Sequence, residues 1–535
     1  MKKLLFIFLL ACTFSVTKSQ FSYNWHQSED FGGYNLGRLV ETFYDATTEK
    51  QYVYTVAESF DSHRFIVIQH DEDGVFQWST EQPVDGYALE TVRNMEKATC
   101  LSDGTLLVAG DWKNIASDRK EIFMASFSKD GDLNWVNSYY AAGKNGYFDG
   151  FVVADDEMTV SIVGNYLLYP IDAAFDYGIA FFRVNILDGV TEASNVIAIG
   201  NKWGQTTTVN GSDAGIYLGG FIQRNPTRQD AFIIKVNTSG EEQWFRTFGG
   251  YYPIVNWMQV HPDGRLVAGI KKDTQFYQVL YLNPEDGSTH TSTNKDYSDI
   301  VSYFTKAQAV MDSGGNITVA LQKTSYELVG GSYSYVSGVM VERIDAEGNY
   351  TGTYNISDER LDTIKRSKTG GENVYLMAAS YSAPLSDSVS AVYEIVPDAS
   401  IHRFRLKDFA NGRGQQDFTT YDGSLVFTTG TLLSEDDGSY ATTTVCLGNT
   451  VMRMSAPDNV VEVQVFPQPF DAGFTFYAGE ANGLVQVYDN SGRHVQTIAY
   501  QGAPLQVATE NWTSGNYLLR FTSDSATVTT ALIKL

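Results

Sequence analysis

Cysteine, histidine and positive charge are scarce in this 535-residue chain, with 3 Cys, 7 His and 38 Lys plus Arg against 63 Asp plus Glu. No Cys-x-x-Cys or His-Glu-x-x-His spacing occurs and the histidines are scattered, which excludes the common zinc motifs, so no metal or cofactor is expected. The net charge of −25 argues against nonspecific nucleic-acid binding, which needs cations to displace counterions. It argues equally against docking on anionic lipid, and reads as solubility outside the cell. Long apolar runs are missing too. The most apolar run, Leu4–Ala11, is too short to cross a bilayer, so no transmembrane segment is expected in the mature protein. The body shows no heptad and no sustained 3.6-residue period, which leaves no place for long helices.

That short run has a clear purpose. Lys2 and Lys3 precede it and small polar residues follow it to Ser19, the pattern of a secretory signal. We place the signal peptide at residues 1–19, with cleavage near Ser19–Gln20. Leu9–Leu10–Ala11–Cys12 resembles a bacterial lipobox, and lipidation of Cys12 is the alternative. Without Cys12, only Cys100 and Cys446 remain, each inside an apolar strand-like segment. They read as buried thiols, although the compartment permits one disulfide.

What is abundant is repetition. Turns followed by apolar strands recur as Ser102–Gly110, Asp213–Gly220, Pro262–Gly269, Ser313–Ala320, Gly370–Ala378 and Tyr421–Gly430, with weaker copies at Thr48–Ala57 and Asp155–Gly164. The apolar segments start at Tyr52, Leu106, Thr159, Ile216, Leu266, Ile317, Val374 and Leu425, 50 to 57 residues apart. Such a period marks a repeat architecture. Within each unit an alternating strand then runs into a Gly turn, as in Phe65–Gly74, Ile122–Gly131 and Phe232–Gly240. In three units a Trp follows that Gly by four residues: Trp78, Trp135 and Trp244. With a further strand before each unit, such as Met95–Leu101, this makes four short antiparallel strands per repeat, the content of a propeller blade. The expectation is an all-β chain, with an eight-bladed β-propeller over residues 20–455; seven blades is the alternative. The N-terminal Phe21–Gly33 resembles the fourth strand Glu241–Gly250 and would close the ring on the last unit, hiding open edges. Thr450–Ala456 competes for that place.

The period stops near Val460. Residues 460–535 read as a small antiparallel β-sandwich behind a linker at Ser455–Asn459. Phe466–Pro467–Gln468–Pro469, Tyr488–Asp489, Gly492–Arg493 and Gly515–Asn516–Tyr517 follow in the order and spacing of a known domain. This segment resembles the type A C-terminal sorting domain of the type IX secretion system of Bacteroidetes. The resemblance implies that Pro467, Pro469, Tyr488, Asp489, Gly492, Arg493, Gly515 and Tyr517 form the sorting motif. It also implies that the secretion machinery is a partner, and that the chain travels through the periplasm to be secreted or held on the outer cell surface. Asp230–Gly250 is similar to the β-propeller repeat of secreted bacterial proteins, which implies little about activity.

Three chemistries compete for the body. Gly-x-x-x-Trp at Gly74, Gly131 and Gly240 resembles the docking pattern of quinone-cofactor propellers, but buried blade anchors explain the indoles as well. Asp71–Gly74 and Ser128–Gly131 resemble incomplete glycosidase Asp-boxes, and plain turns explain them. The favoured reading is a binding or adhesion platform for glycan or protein. Its binding face would be the long connections after the second and fourth strands, including Asn165–Tyr177, Gly249–Trp257 and Lys323–Ser337, with Trp112 nearby in Asp111–Glu121. Loops of this kind on a rigid scaffold carry binding. The candidate ligand-binding residues are Tyr166, Tyr169, Tyr251, Tyr252, Trp257, Tyr333 and Tyr335. No catalytic residue stands out, and a hydrolase working at the channel mouth is the alternative. Thr363, Ser388 and Ser525 lie in Asp-Ser/Thr-apolar triplets that resemble the O-glycosylation signal of Bacteroidetes.

Overall fold

The computed structural model describes residues 21–449 and 464–534 apart from short connecting stretches, of which the longer are 89–94, 169–176, 367–372, 381–389, 406–413 and 434–439. The expected signal, Cys12 and the competing strand Thr450–Ala456 lie outside the described residues. Among the described residues every regular element is a strand. The chain divides at 450/451 into two compact units.

The larger unit is a succession of eight antiparallel sheets. The first runs Asn35–Asp45, Lys50–Ser59, Arg64–Asp71, Phe76–Pro83, and each later sheet repeats this meander, the second adding the short strand Tyr87–Ala88. The second strands begin at Leu106, Thr159, Gly215, Leu266, Ile317, Val374 and Leu425, so the apolar starts seen in the sequence are second strands. The eighth sheet takes its fourth strand from the other end of the unit. Phe21–Glu29 pairs with Tyr440–Asn449, from Phe21 opposite Asn449 to Glu29 opposite Thr442.

Burial explains the two strand signatures. Second and third strands lie between neighbouring sheets and are covered on both faces, so Leu106–Asp111 and Glu121–Phe127 are buried throughout. Fourth strands lie outermost and alternate, as in Thr289–Asp296. Each sheet shares an apolar core with the next, from Tyr54, Phe65, Leu106 and Phe123 between the first and second to Tyr375, Val392, Phe418 and Val445 between the seventh and eighth. Val40, Val53, Phe427 and Cys446 join the eighth sheet to the first. First strands of successive sheets pack on one another, and that of the eighth packs on that of the first. The series is therefore cyclic, and the body is propeller-like.

Every first strand carries a register slip of one residue, at Gly37/Leu39, Met95/Lys97, Phe148/Gly150, Thr206/Thr208, Val255/Trp257, Phe304/Lys306, Leu361/Thr363 and Gln415/Asp417. Such bulges bend and twist a strand while leaving a residue out of the ladder. Amides beside them need other acceptors, and side chains of the preceding sheet supply several. Asp111 accepts from Phe148 N at 3.4 Å, Asn165 from Thr206 N at 2.9 Å, and Gln322 from Leu361 N.

The smaller unit has a three-stranded sheet, Gln464–Phe466, Gly473–Tyr477 and Leu505–Ala508, and a four-stranded one built on Asn482–Asp489 and Gly515–Ser523. Phe474, Phe476 and Val507 of the first share a core with Val485, Leu519 and Phe521 of the second.

Candidate functional site

Strand parity sends the second-to-third and fourth-to-first connections to one end of each sheet. There the connection Gly249–Ile254 carries Tyr251 and Tyr252, 66% and 41% exposed. Their rings meet edge to face with centroids 4.8 Å apart, a favoured aromatic geometry. The connection is pinned twice: Tyr251 N donates to Lys272 O at 3.0 Å, and Gln229 Nε2 donates to Pro253 O at 2.8 Å. Tyr252 sits at φ 56°, a conformation a non-glycine residue rarely adopts and one that clusters at functional sites. The pair is thus an exposed aromatic surface on a fixed loop.

The other expected aromatics divide. Tyr166 and Trp257 are buried, 2% and 4% exposed, which corrects their reading as ligand contacts. The Tyr166 ring lies under the Lys144 ammonium at 3.8 Å and belongs to the core between the second and third sheets. Trp257 packs with Tyr277 and Phe304 between the fifth and sixth. Trp112 is buried as well, stacked between Tyr87 at 4.1 Å and Phe123 at 4.7 Å, with Nε1 donating to Ser138 Oγ. Tyr169 lies outside the described residues. Tyr333 and Tyr335 belong to no loop: they lie in the strand Ser332–Ile344, opposite Leu328 and Tyr326. Exposed rings that the sequence did not single out include Tyr44, Phe76, Tyr140, Tyr147 and Phe276. All but Tyr147 lie at or beside strand ends, where alternation gives little direction.

The first strands bring together charges far apart in sequence. Lys365 of the seventh sheet pairs with Asp417 of the eighth at 2.8 Å, and Asp417 also accepts from Val40 N of the first at 3.2 Å. Lys97 of the second sheet donates to Phe151 O of the third at 2.7 Å and lies 4.5 Å over the Phe151 ring. Glu41 of the first sheet acts electrostatically on both lysines. Burial lowers the Lys97 ammonium to about 8, partly offset by Glu41. For Lys365, burial is outweighed by Asp417 and Glu41, so its pKa is raised. Burial raises the carboxyl of Asp417 despite Lys365. Asp149, a bulge residue of the third sheet, is held well above the ordinary carboxylate range by burial, then by the charges of Glu96 and Asp111. Lys365 is still 30% exposed, so water reaches this interior. Nothing in the local sequence of these residues signals their convergence.

At the opposite end, the short turns follow one plan. Asp71 Oδ1 accepts from Asp73 N and Val75 N, and Asp345 Oδ1 from Glu347 N and Asn349 N. These carboxylates hold turns that close on Gly74 and Gly348. A cleft of about 280 Å³ between the sixth and seventh sheets is lined by Asp312, Asn316, Arg343 and Asp345. Two of its carboxylates are spent capping turns, and it lies away from the exposed tyrosines. The three tryptophans are seam pegs: Trp78 Nε1 donates to Lys129 O at 3.0 Å, Trp135 to Ile186 O at 2.7 Å and Trp244 to Pro284 O at 3.0 Å, each in a turn of the next sheet. The turn glycines Gly131 and Gly189 have φ of +93° and +71°, and a Cβ at either would approach the docked indole within 2.7 Å.

In the smaller unit, Asp489 Oδ1 accepts from Arg493 N and its Oδ2 pairs with Arg493 Nε, both at 3.0 Å. Tyr517 is buried, its hydroxyl donating to Thr513 O at 2.7 Å. Tyr488 meets His494 edge to face, and Gly515 adopts φ +149°. Pro467, Pro469 and Gly492 lie outside the described residues, as do Ser388 and Ser525. Thr363 lies in the first strand of the seventh sheet and is half-buried. Cys100 and Cys446 do not form a disulfide. No helix among the described residues is long and apolar enough to cross a membrane.

Residues 464–535 match the family model of the secretion system C-terminal sorting domain. This part of the chain is such a domain. It marks proteins that the type IX system exports to the cell surface or the extracellular space, and it implies interaction with that machinery. No curated protein matches the chain. Among solved structures, the WD40 domain of SCAP from fission yeast is similar at 7% identity, covering 79% of this chain and 98% of that one, with TM-score 0.40. The β-propeller domain of the trilobed protease from Pyrococcus furiosus is similar at 10% identity, covering 67% and 94%, with TM-score 0.38. A protein of unknown function from Dyadobacter fermentans is similar at 9% identity, covering 68% and 100%, with TM-score 0.38.

Proposed function

We propose that the chain is an exported eight-bladed β-propeller that binds a glycan or a protein at the cell surface without catalysis. A signal peptide at 1–19, a propeller over 20–455 and a C-terminal sandwich over 460–535 that delivers it complete the reading. Eight sheets packed in cyclic order, the last completed by the N-terminal strand, support eight blades rather than seven. Two sheets around one core support the sandwich. The observation that carries the binding role is the Tyr251–Tyr252 pair, exposed on a doubly pinned loop. Rings displayed this way offer flat apolar surface to sugar C–H groups or partner side chains, and their hydroxyls fix orientation.

A glycan array and a surface-protein pull-down with the full chain and with Tyr251→Ala/Tyr252→Ala test this. Undiminished binding by the double variant would remove the pair from the site. The alternative is a hydrolase, supported by Asp149, whose perturbed carboxyl beside Glu96 is what an active site would need. Turnover in a hydrolase screen that Asp149→Asn abolishes would favour it. Removing residues 460–535 should leave the body folded in the periplasm.

A further inference from the structure

The loop that displays Tyr251 and Tyr252 has cations on both sides. On one side lies the hairpin formed by the second and third strands of the fourth sheet, Gly215–Asn225 and Arg228–Val236. Gln229 of that hairpin bonds Pro253 O, and Asp230 stands opposite Gly249, so hairpin and loop run together. Asp230 is buried and holds two guanidiniums, Arg224 Nε at 2.9 Å and Arg228 Nε at 3.5 Å. The Arg228 side chain keeps 65% exposure. On the other side lies the connection between the second and third strands of the fifth sheet. Tyr251 N donates to Lys272 O at 3.0 Å, and Lys272 N donates to Phe276 O at 2.9 Å. These bonds set Lys271, Lys272 and exposed Phe276 next to the tyrosine loop. No ion pair among the described residues joins either lysine to a carboxylate. The neighbouring Asp273 caps its own turn, its Oδ1 accepting from Gln275 N and Phe276 N, both at 2.8 Å. Arg224, Arg228, Lys271 and Lys272 therefore outnumber Asp230 and Asp273 around this loop, in a chain whose net charge is −25.

We propose that this site takes an acidic polysaccharide of the uronate type, with sugar rings on Tyr251 and Tyr252 and sugar carboxylates at Arg228 and Lys272. The inference rests on the binding reading above and names its ligand class. Charge argues for an anion, because the local excess of cations is relieved by one. Chemistry argues for a carboxylate, since the planar fork of a guanidinium matches its two oxygens. Asp230 already holds both guanidiniums in place, so little freedom remains to be lost on binding. The displayed rings argue for a sugar: tyrosine joins a flat apolar surface to a hydroxyl, and a uronate ring presents C–H groups, O–H groups and a carboxylate together. The acidity of the whole chain does not oppose this. Exposed charges farther away than a Debye length, about 8 Å at physiological salt, are largely screened, so the nearest cations decide. A denser polyanion such as nucleic acid would carry extra phosphates onto the acidic surroundings and is disfavoured.

The test is affinity electrophoresis of the full chain in gels containing alginate or polygalacturonate, with methyl-esterified polygalacturonate and starch as neutral polymers and single-stranded DNA as a different polyanion. Esterification removes the charge and keeps the ring, so the unaltered chain alone separates charge from shape. Two variants accompany it, Arg228→Gln/Lys272→Gln and Tyr251→Ala/Tyr252→Ala, each checked by thermal melting. Retardation by at least one acidic glycan is expected, weakened about tenfold or more by esterification, by high salt and in Arg228→Gln/Lys272→Gln. Equal retardation by the acid and its methyl ester overturns the ligand class. Undiminished retardation of a folded Arg228→Gln/Lys272→Gln overturns the assignment of the cations. If a neutral glycan or a surface protein binds through Tyr251 and Tyr252 while no acidic glycan does, the binding reading stands and this inference falls. Retardation by DNA without any acidic glycan, or by no polymer at all, also overturns it.

Discussion

The seam between the second and third sheets and the seam that closes the body are built differently. At the first, sixteen described residues form one apolar core, among them Trp135, Phe148, Phe151 and Tyr166. The turn Ile186–Gly189 of the third sheet is gripped by three side chains of one strand: Trp135 bonds Ile186 O, while Asn137 and Tyr139 bond Gly189 O. At the closing seam the described core is four residues, Val40, Val53, Phe427 and Cys446. Described polar contacts join it: Asp417 to Val40 N, Thr55 Oγ1 to Thr444 Oγ1 at 2.6 Å, Gln27 Nε2 to Gly74 O at 2.9 Å, and His70 beside Glu29 at 3.7 Å. A seam between chain-consecutive sheets can rely on non-directional burial, because the chain already holds the partners close. The closing seam joins strands some four hundred residues apart, and directional contacts select its register.

If the contrast is real, the largest loss follows from emptying the apolar seam. Trp135→Ala should cost about 3–5 kcal/mol, read as a lower denaturant midpoint; a loss below 1 kcal/mol would mean the peg is ornamental. Acid should next find the closing seam. Burial holds His70 down at about 4, against about 6.5 in an unfolded chain. Between those values the unfolded state binds the extra proton, so stability rises with pH across this window and is lost on acidification, by about 3 kcal/mol at pH 4. His70→Gln should flatten that slope in thermal melts from pH 7 to 4, and an unchanged slope would assign it elsewhere. A smaller loss attaches to the ion pair. Lys365→Ala strands the Asp417 carboxylate and should cost about 2 kcal/mol, less than a fully buried pair because Lys365 keeps 30% exposure. Lys365→Met/Asp417→Leu should recover most of it, and a double variant no better than the single would show that the pair is worth more than its packing.

Much of this architecture was legible. The starts at Leu106, Thr159, Leu266, Ile317, Val374 and Leu425 are the first residues of second strands, because burial on both faces writes an unbroken apolar run. Phe21–Glu29 could be matched to a fourth strand by its likeness to another. The candidate site was read less well. Trp257 follows the slip at Val255/Trp257, and a shift of one residue exchanges the faces of a strand, so alternation could not tell its buried ring from exposed Tyr251 and Tyr252. The segment Lys323–Ser337 looked like a loop because Gly, Ser and Tyr dilute its apolar pattern, yet its ladder is continuous.

The sequence by itself determined what depends on neighbours along the chain: the repeat, the strand faces, the Asp-Gly turns, and the sorting domain with its ordered motif. The tertiary structure alone decided what depends on residues meeting across sheets. The packing of Trp78, Trp135 and Trp244 on the next sheet's turns, the gathering of Glu41, Lys97, Lys365 and Asp417 on four first strands, and the choice between buried and displayed aromatics belong there. Local propensity acts over a few residues, whereas a bulge's phase and the charge its surroundings permit are fixed by groups on neighbouring sheets, tens of residues away and, at the closing seam, hundreds.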